Sequence, residues 1–247
     1  MILVLRLGLM FAVLFYGSSM AMAENSSLDQ LPFVKKMRLA KAGDAEAKMA
    51  VAEALENGTD TNVNIVQAAK WYRDAALTGN YEAQFRLAKL VYKGAPGLKA
   101  DKPTAIKLLQ TAANQGHAPS ENLLGQMLQN GDGLAKDEKA AVELYKKAAE
   151  QKLPIAQNNL GVMFLKGLGT ERNLDQAFKY FTMASEAGDA WAMNNLGGMY
   201  EMGWGTQKDI AKAKSFYQKA ADKGNAISIK NLERFANPAT TATITKP

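Results

Sequence analysis

KKAAEQKLPIAQNNLGVMFLKGLG at residues 146–169 and TMASEAGDAWAMNNLGGMYEMGWG at residues 182–205 are one pattern written twice, 36 residues apart. Each copy has a small pair (Ala148-Ala149, Ala184-Ser185), a junction (Lys152, Gly188), two asparagines before a leucine (Asn158-Asn159-Leu160, Asn194-Asn195-Leu196) and a closing glycine pair. Extending the pattern in both directions places junctions at Gly43, Gly79, Gly116, Lys152, Gly188 and Gly224, spaced by 36, 37, 36, 36 and 36 residues. Fifteen residues after each of the first five stands another glycine: Gly58, Gly94, Gly131, Gly167 and Gly203. A fixed period of this length means stacked repeats, each too small to bury its own apolar face.

Each period holds two helices. The glycines fall where a helix stops and the backbone turns to positive φ. Helix starts are marked by Asn64, Asp101, Asp137, Asn173 and Asp209 for the second helices, whose side chains accept from first-turn amides. Asp44, Asn80, Asp189 and Asn225 mark first helices; His117 and Leu153 break that rule, but are followed by Pro119 and Pro154 in the first turn, where proline is tolerated. The extra residue of the 37-residue repeat falls in the Ala95-Pro96-Gly97 loop. Val51, Leu87, Leu124, Leu160, Leu196 and Leu232 recur in the middle of the first helices as core positions. On the second helices, Ala68, Ala105, Ala141, Ala177 and Ala213 lead, three and four residues later, to large side chains such as Tyr180-Phe181 and Phe216-Tyr217, forming one apolar stripe.

Three segments, Lys146-Lys147-Ala148-Ala149, Ala156-Gln157-Asn158-Asn159-Leu160-Gly161 and Gly167-Leu168-Gly169, resemble the signature of the Sel-one-like repeat, a relative of the tetratricopeptide repeat. The match runs from Asp44 to Asn225, with departures at Asp60, where the second loop glycine is usual, and at Lys152. The resemblance implies an all-α, right-handed superhelical solenoid of five helix-turn-helix repeats of about 36 residues with capping helices, serving as a protein–protein interaction scaffold, often in bacterial envelope, secretion or signalling contexts. The repeats are read as 44–79, 80–116, 117–152, 153–188 and 189–225, in a single domain, with an N-terminal capping helix within 24–43 and a C-terminal one at 226–236. Residues 237–247, rich in Thr, Ala and Pro and without periodicity, are expected to be a disordered tail.

Residues 1–23 differ from the rest: Arg6, an apolar run from Leu7 to Tyr16, then small residues ending Ala21-Met22-Ala23. This is the form of a cleaved signal peptide with Glu24 as the mature start, and implies a periplasmic or secreted protein. The competing expectation is an uncleaved anchor, the one route to membrane attachment. With no cysteine, the chain has neither a lipidation site nor a disulfide, so packing alone holds it. The net charge of +6 is mild, and lysines alternate with acidic residues along the helices, which reads as a solvated surface and argues against nucleic acid. A monomer is expected.

The inventory argues against an enzyme or a cofactor. No cysteine nucleophile exists, and a single histidine rules out a multi-histidine metal site. His117 sits at a junction and is read as a turn residue; Glu53 and Glu56, three apart on a helix, read as ordinary surface. A partner site is expected instead on the first helices, which line the concave side in repeats of this class. In the early repeats that face is mixed and charged: Glu46, Met49, Glu53, Glu82, Phe85, Arg86, Lys89 and Tyr92. In the late repeats it offers Ile155, Asn158, Asn159, Val162, Leu165, Trp191, Asn194, Asn195, Gly198 and Met202, an apolar strip edged by asparagine pairs. Asparagine donates and accepts at once, which suits the backbone of an extended peptide, while Trp191 and Met202 suit its side chains. The competing reading of the asparagines is structural bonding between repeats, and for Trp204, in its glycine-flanked loop, folding back over the helix ends. The functional expectation is an exported scaffold that binds a protein or peptide, in a narrower form a regulator of an envelope signalling or assembly system; the alternatives are a secreted adaptor acting on host or neighbouring-cell proteins and, remotely, a hydrolytic enzyme.

Overall fold

Every second helix starts on an Asn or Asp whose side chain takes an amide of its first turn, and the helices begin where those residues stand. Asn64, Asp101, Asp137, Asn173 and Asp209 each accept from the backbone N–H three residues on, at 2.9–3.0 Å. In the computed structural model, residues 28–236 are described; the expected signal segment and tail lie outside them. A 3₁₀ turn at Leu28–Gln30 leads into twelve α-helices: α1 Phe33–Lys41, α2 Ala45–Asn57, α3 Ile65–Ala76, α4 Tyr81–Lys93, α5 Lys102–Asn114, α6 Ala118–Asn130, α7 Glu138–Glu150, α8 Pro154–Lys166, α9 Leu174–Glu186, α10 Ala190–Met202, α11 Ile210–Asp222 and α12 Ala226–Ala236. No strand occurs among the described residues. This is the architecture of a helical repeat solenoid.

Asp44, Asn80, Asp189 and Asn225 cap first helices as read from sequence, accepting from Ala47, Ala83, Ala192 and Ser228. His117 and Leu153 make no side-chain cap bond. His117 pairs its Nδ1 with the Ser120 hydroxyl at 2.8 Å. Both departures in the loops bear strain: Asp60 has φ 57° and Lys152 φ 63°, left-handed values that cost a residue with a Cβ.

The chain divides into two compact units, with the boundary between Ala100 and Asp101. The boundary follows the loop carrying the extra residue, in which Ala95 and Leu98 close a tight turn on each other's backbone at 2.8 Å, so the two helices of the second repeat are separated by more chain than in any other repeat. In the first unit α1–α4 pack in chain order, each helix on the next; in the second, α5–α12 do the same.

The core is a ladder of small residues facing large ones. Within the second unit, Gly125, Gly161 and Gly197 lie against the rings of Tyr145, Phe181 and Tyr217; a Cβ at Gly161 or Gly197 would stand 2.7 Å from ring carbon. Those rings are fully or almost fully buried. Burying a phenol obliges its hydroxyl to find a partner, and one is supplied sixteen residues earlier: Tyr72 donates to Glu56 (2.6 Å), Tyr145 to Gln129 (2.7 Å) and Tyr217 to Glu201 (2.9 Å). Where the ring is Phe181, with no hydroxyl, the residue sixteen earlier is the apolar Leu165. Repeats also approach through backbone: a side chain at Gly169 would overlap the Glu138 carbonyl.

In α12, the last described helix, one register position changes character. Ala52, Ala88, Gly125, Gly161 and Gly197 are all buried; the equivalent residue of α12 is Glu233, exposed.

Candidate functional site

On the first helices, side chains three, six, seven, ten, thirteen and fourteen residues past a junction share one face. In the first unit that face is charged and internally paired. The Arg86 guanidinium bonds Glu82 at 2.6 Å and stands 4.0 Å from Glu53. The hydrogen bond to Glu82, working against partial burial, holds the Arg86 guanidinium above its ordinary pKa.

In the second unit the same face is built differently, and its asparagines are the reason the first helices register. Asn159 on α8 donates Nδ2–H to Asn122 on α6 at 2.9 Å; Asn195 on α10 donates to Asn158 on α8 at 2.8 Å; Asn231 on α12 donates to Asn194 on α10 at 3.1 Å. Ser228 adds a hydroxyl donation to Asn194 at 2.9 Å. The first asparagine of each pair thus bonds forward and the second backward, a chain of amide bonds across four helices. Asn158 is buried, 8% exposed. It belongs to the joint between repeats and not to the accessible strip in which the sequence placed it. Asn159, Asn194 and Asn195 are half-buried. Among the described residues, the Oδ1 atoms of Asn159, Asn195 and Asn231 accept no bond, leaving a row of acceptors at the repeat spacing.

Apolar groups flank this amide row on both sides. At one end stand Ile155, Trp191 and Ile227, each three residues past its junction and 44%, 55% and 46% exposed. At the other, Leu165, Met202 and Trp204 line an open pocket of about 370 Å³ together with Asn194, Asn195, Gly198, Asn231 and Arg234. Val162 is half-buried and packs inward against the Phe181–Leu196 cluster. Trp204 is positioned by the preceding loop: the Arg172 guanidinium lies 5.8 Å from its ring centre, and Arg172 Nε donates to the Leu165 carbonyl. It therefore both leans on a loop and lines the pocket.

The floor of the pocket is neutralised. The nearly buried Glu201 accepts from the Tyr217 hydroxyl and from Arg234 at 2.7 Å. That bond keeps Arg234 above the usual guanidinium pKa, and burial, with the Glu201 bond in support, keeps the Tyr217 phenol protonated well above its ordinary range. The face from α8 to α12 thus presents amides, apolar groups and one compensated ion pair, with the exposed Lys166 and Lys230 at its register positions as well. Ile227, Asn231 and Arg234 lie beyond the fifth repeat, where the sequence reading placed only a cap; the signal was the unbroken register, since Ile227 stands 36 residues after Trp191 as Trp191 does after Ile155. Among the described residues no group of three or more metal-ligating side chains converges.

The Sel1 repeat model matches residues 43–80, 82–117, 118–153, 154–189 and 192–225. The chain belongs to the Sel1 repeat family. Sel1-repeat proteins generally act as protein–protein interaction scaffolds and are typically non-catalytic. Among solved structures, this Sel1-repeat chain is similar to a protective antigen of uropathogenic Escherichia coli strains with an SLR fold: 31% identity over 83% of this chain, TM-score 0.73. It spans 44% of that antigen's chain. A Sel1 repeat protein from Oxalobacter formigenes aligns with 27% identity over 82% of this chain and 87% of its own, TM-score 0.73. An immunity protein from Pseudomonas aeruginosa aligns with 26% identity over 74% of this chain and 67% of its own, TM-score 0.52. No curated protein matches the chain.

Proposed function

We propose that this Sel1-repeat protein is an exported scaffold whose first-helix face in the second unit holds an uncharged, extended stretch of a partner protein. The observation that carries the reading is Trp191: an indole 55% exposed on a helix whose fold does not require it, in line with Ile155 and Ile227 and beside a row of unused amide acceptors. Exposed indoles at such positions are the side chains that dominate interfaces. Backbone N–H groups of an extended segment suit the Asn159, Asn195 and Asn231 oxygens, and the pocket at Met202 and Trp204 takes an apolar side chain. Regulation of an envelope system is the narrower form, since a groove and export suffice for it and no chemistry is needed.

In-cell crosslinking followed by mass spectrometry names the partner, and Trp191→Ala tests the face. We expect the variant to melt near the parent and to lose at least about thirtyfold in affinity, the equivalent of roughly 2 kcal/mol for a buried aromatic anchor. A variant that folds normally and captures the partner at full strength removes the face from the proposal. Export is tested separately: the intact mass of the mature protein should correspond to a start at Glu24, and a mass retaining residues 1–23 replaces export by anchoring.

A further inference from the structure

Resting on that reading of the face, we infer that its resident occupant is the chain's own C-terminal segment, residues 237–247, docked in cis until a partner displaces it. Three observations carry this. The first is where the segment begins. In repeat register Asn237 corresponds to Leu165 and Glu201, both of which line the pocket, and Asn231 and Arg234 of the preceding turns line it too. In the other first helices a glycine fifteen residues past the junction precedes the turn toward a second helix; here Ala239 stands in that register, and Pro238 before it disfavours further helix and favours an extended path for the residue it follows.

The second is composition. The segment reads NPATTATITKP: no charge precedes Lys246, and there is one large apolar side chain, Ile244. The pocket it leaves from is lined by no charged residues except the Glu201–Arg234 pair, whose charges cancel. Neutral meets neutral, and neither side strips water from an unpaired ion. Thr240, Thr241 and Thr243 bring hydroxyl donors, and the segment's amides bring N–H donors, to the open Oδ1 atoms of Asn159, Asn195 and Asn231.

The third is reach. Along α10, Trp191 and Met202 are eleven residues apart, about 17 Å of helix. Residues 237–244 extended cover about 26 Å. The segment therefore crosses the amide row from the pocket and sets Ile244 against Trp191 with length in hand. A partner that competes must offer a similar neutral segment, and its apparent affinity is reduced by the fraction of molecules already self-occupied.

The absence of cysteine makes the test clean. Thr245→Cys in the full-length mature chain is labelled with bimane, whose emission tryptophan quenches on contact. We expect strong quenching that Trp191→Phe or Ile244→Asp relieves, that Trp71→Phe leaves unchanged, and that persists on dilution. Absence of quenching overturns the inference, as does relief by Trp71→Phe alone. Relief on dilution overturns it in favour of a second copy's segment. The groove reading stands or falls on other data: a crosslinked partner lost on Trp191→Ala, with no bimane quenching, removes the tail and leaves the groove. Quenching without a captured partner supports the tail as occupant.

Discussion

Replacing Asn195 by alanine separates a side chain that holds repeats together from one that waits for a partner. Asn195 donates to Asn158 Oδ1 at 2.8 Å, and Asn158 is 8% exposed, so the acceptor left behind has little access to water. Losing a neutral hydrogen bond costs about 0.5–1.5 kcal/mol, and stranding a buried acceptor brings the cost toward about 1–3. Alanine's better helix propensity returns up to about 0.7. The expected net is a loss of about 1–2 kcal/mol in urea denaturation, or about 2–8 °C in melting temperature at about 2–4 °C per kcal/mol for a chain of this size. Asn158→Ala and the double variant complete a cycle; since the double variant leaves no orphan, the coupling should be about 0.5–1.5 kcal/mol. A neutral Asn195→Ala with zero coupling refutes the structural account of the amide row and returns Asn195 to the binding surface alone.

At Lys152, where φ is 63°, glycine should raise stability by roughly 0.5–1 kcal/mol, because relief of left-handed strain outweighs glycine's greater entropy when unfolded; unchanged or lower chemical stability means the junction carries no strain. Alkaline pH should unfold the protein through its buried phenols. Burial raises the Tyr72, Tyr145 and Tyr217 pKa values, helped at Tyr72 by Glu56 and at Tyr217 by Glu201. Above the unfolded tyrosine value of about 10 the folded state binds more protons than the unfolded one, so stability falls as pH rises from there. Absorbance titration should show these three ionising only with loss of helicity; their early, reversible ionisation with helicity intact contradicts it.

How far the sequence could be read depended on whether a feature repeats. Helix starts at Asn64 or Asp209 and the core leucines were legible because each recurs at a fixed register. The pairing of Tyr72, Tyr145 and Tyr217 with polar residues sixteen earlier, and of Phe181 with Leu165, was equally present in the text. The amide row was legible only as the competing reading of the asparagines: adjacent asparagines on one helix look alike, and only their placement shows that Asn158 turns inward to the joint while Asn159 keeps an open acceptor. Ile227 lies in the closing helix, outside the five repeats on which the sequence places the partner face.

Glu233 sets how long this protein can become. Tandem arrays grow by copying a unit, and a copy added after α12 would have to seat an aromatic ring where Glu233 stands, burying a carboxylate with no cation supplied for it. Lengthening at the carboxyl end is therefore blocked until that glutamate becomes alanine or glycine, whereas units inserted between existing repeats meet no such barrier. An engineer extending the array, or lineage duplication doing the same, is steered toward internal insertion, with the closing helix carried along unchanged.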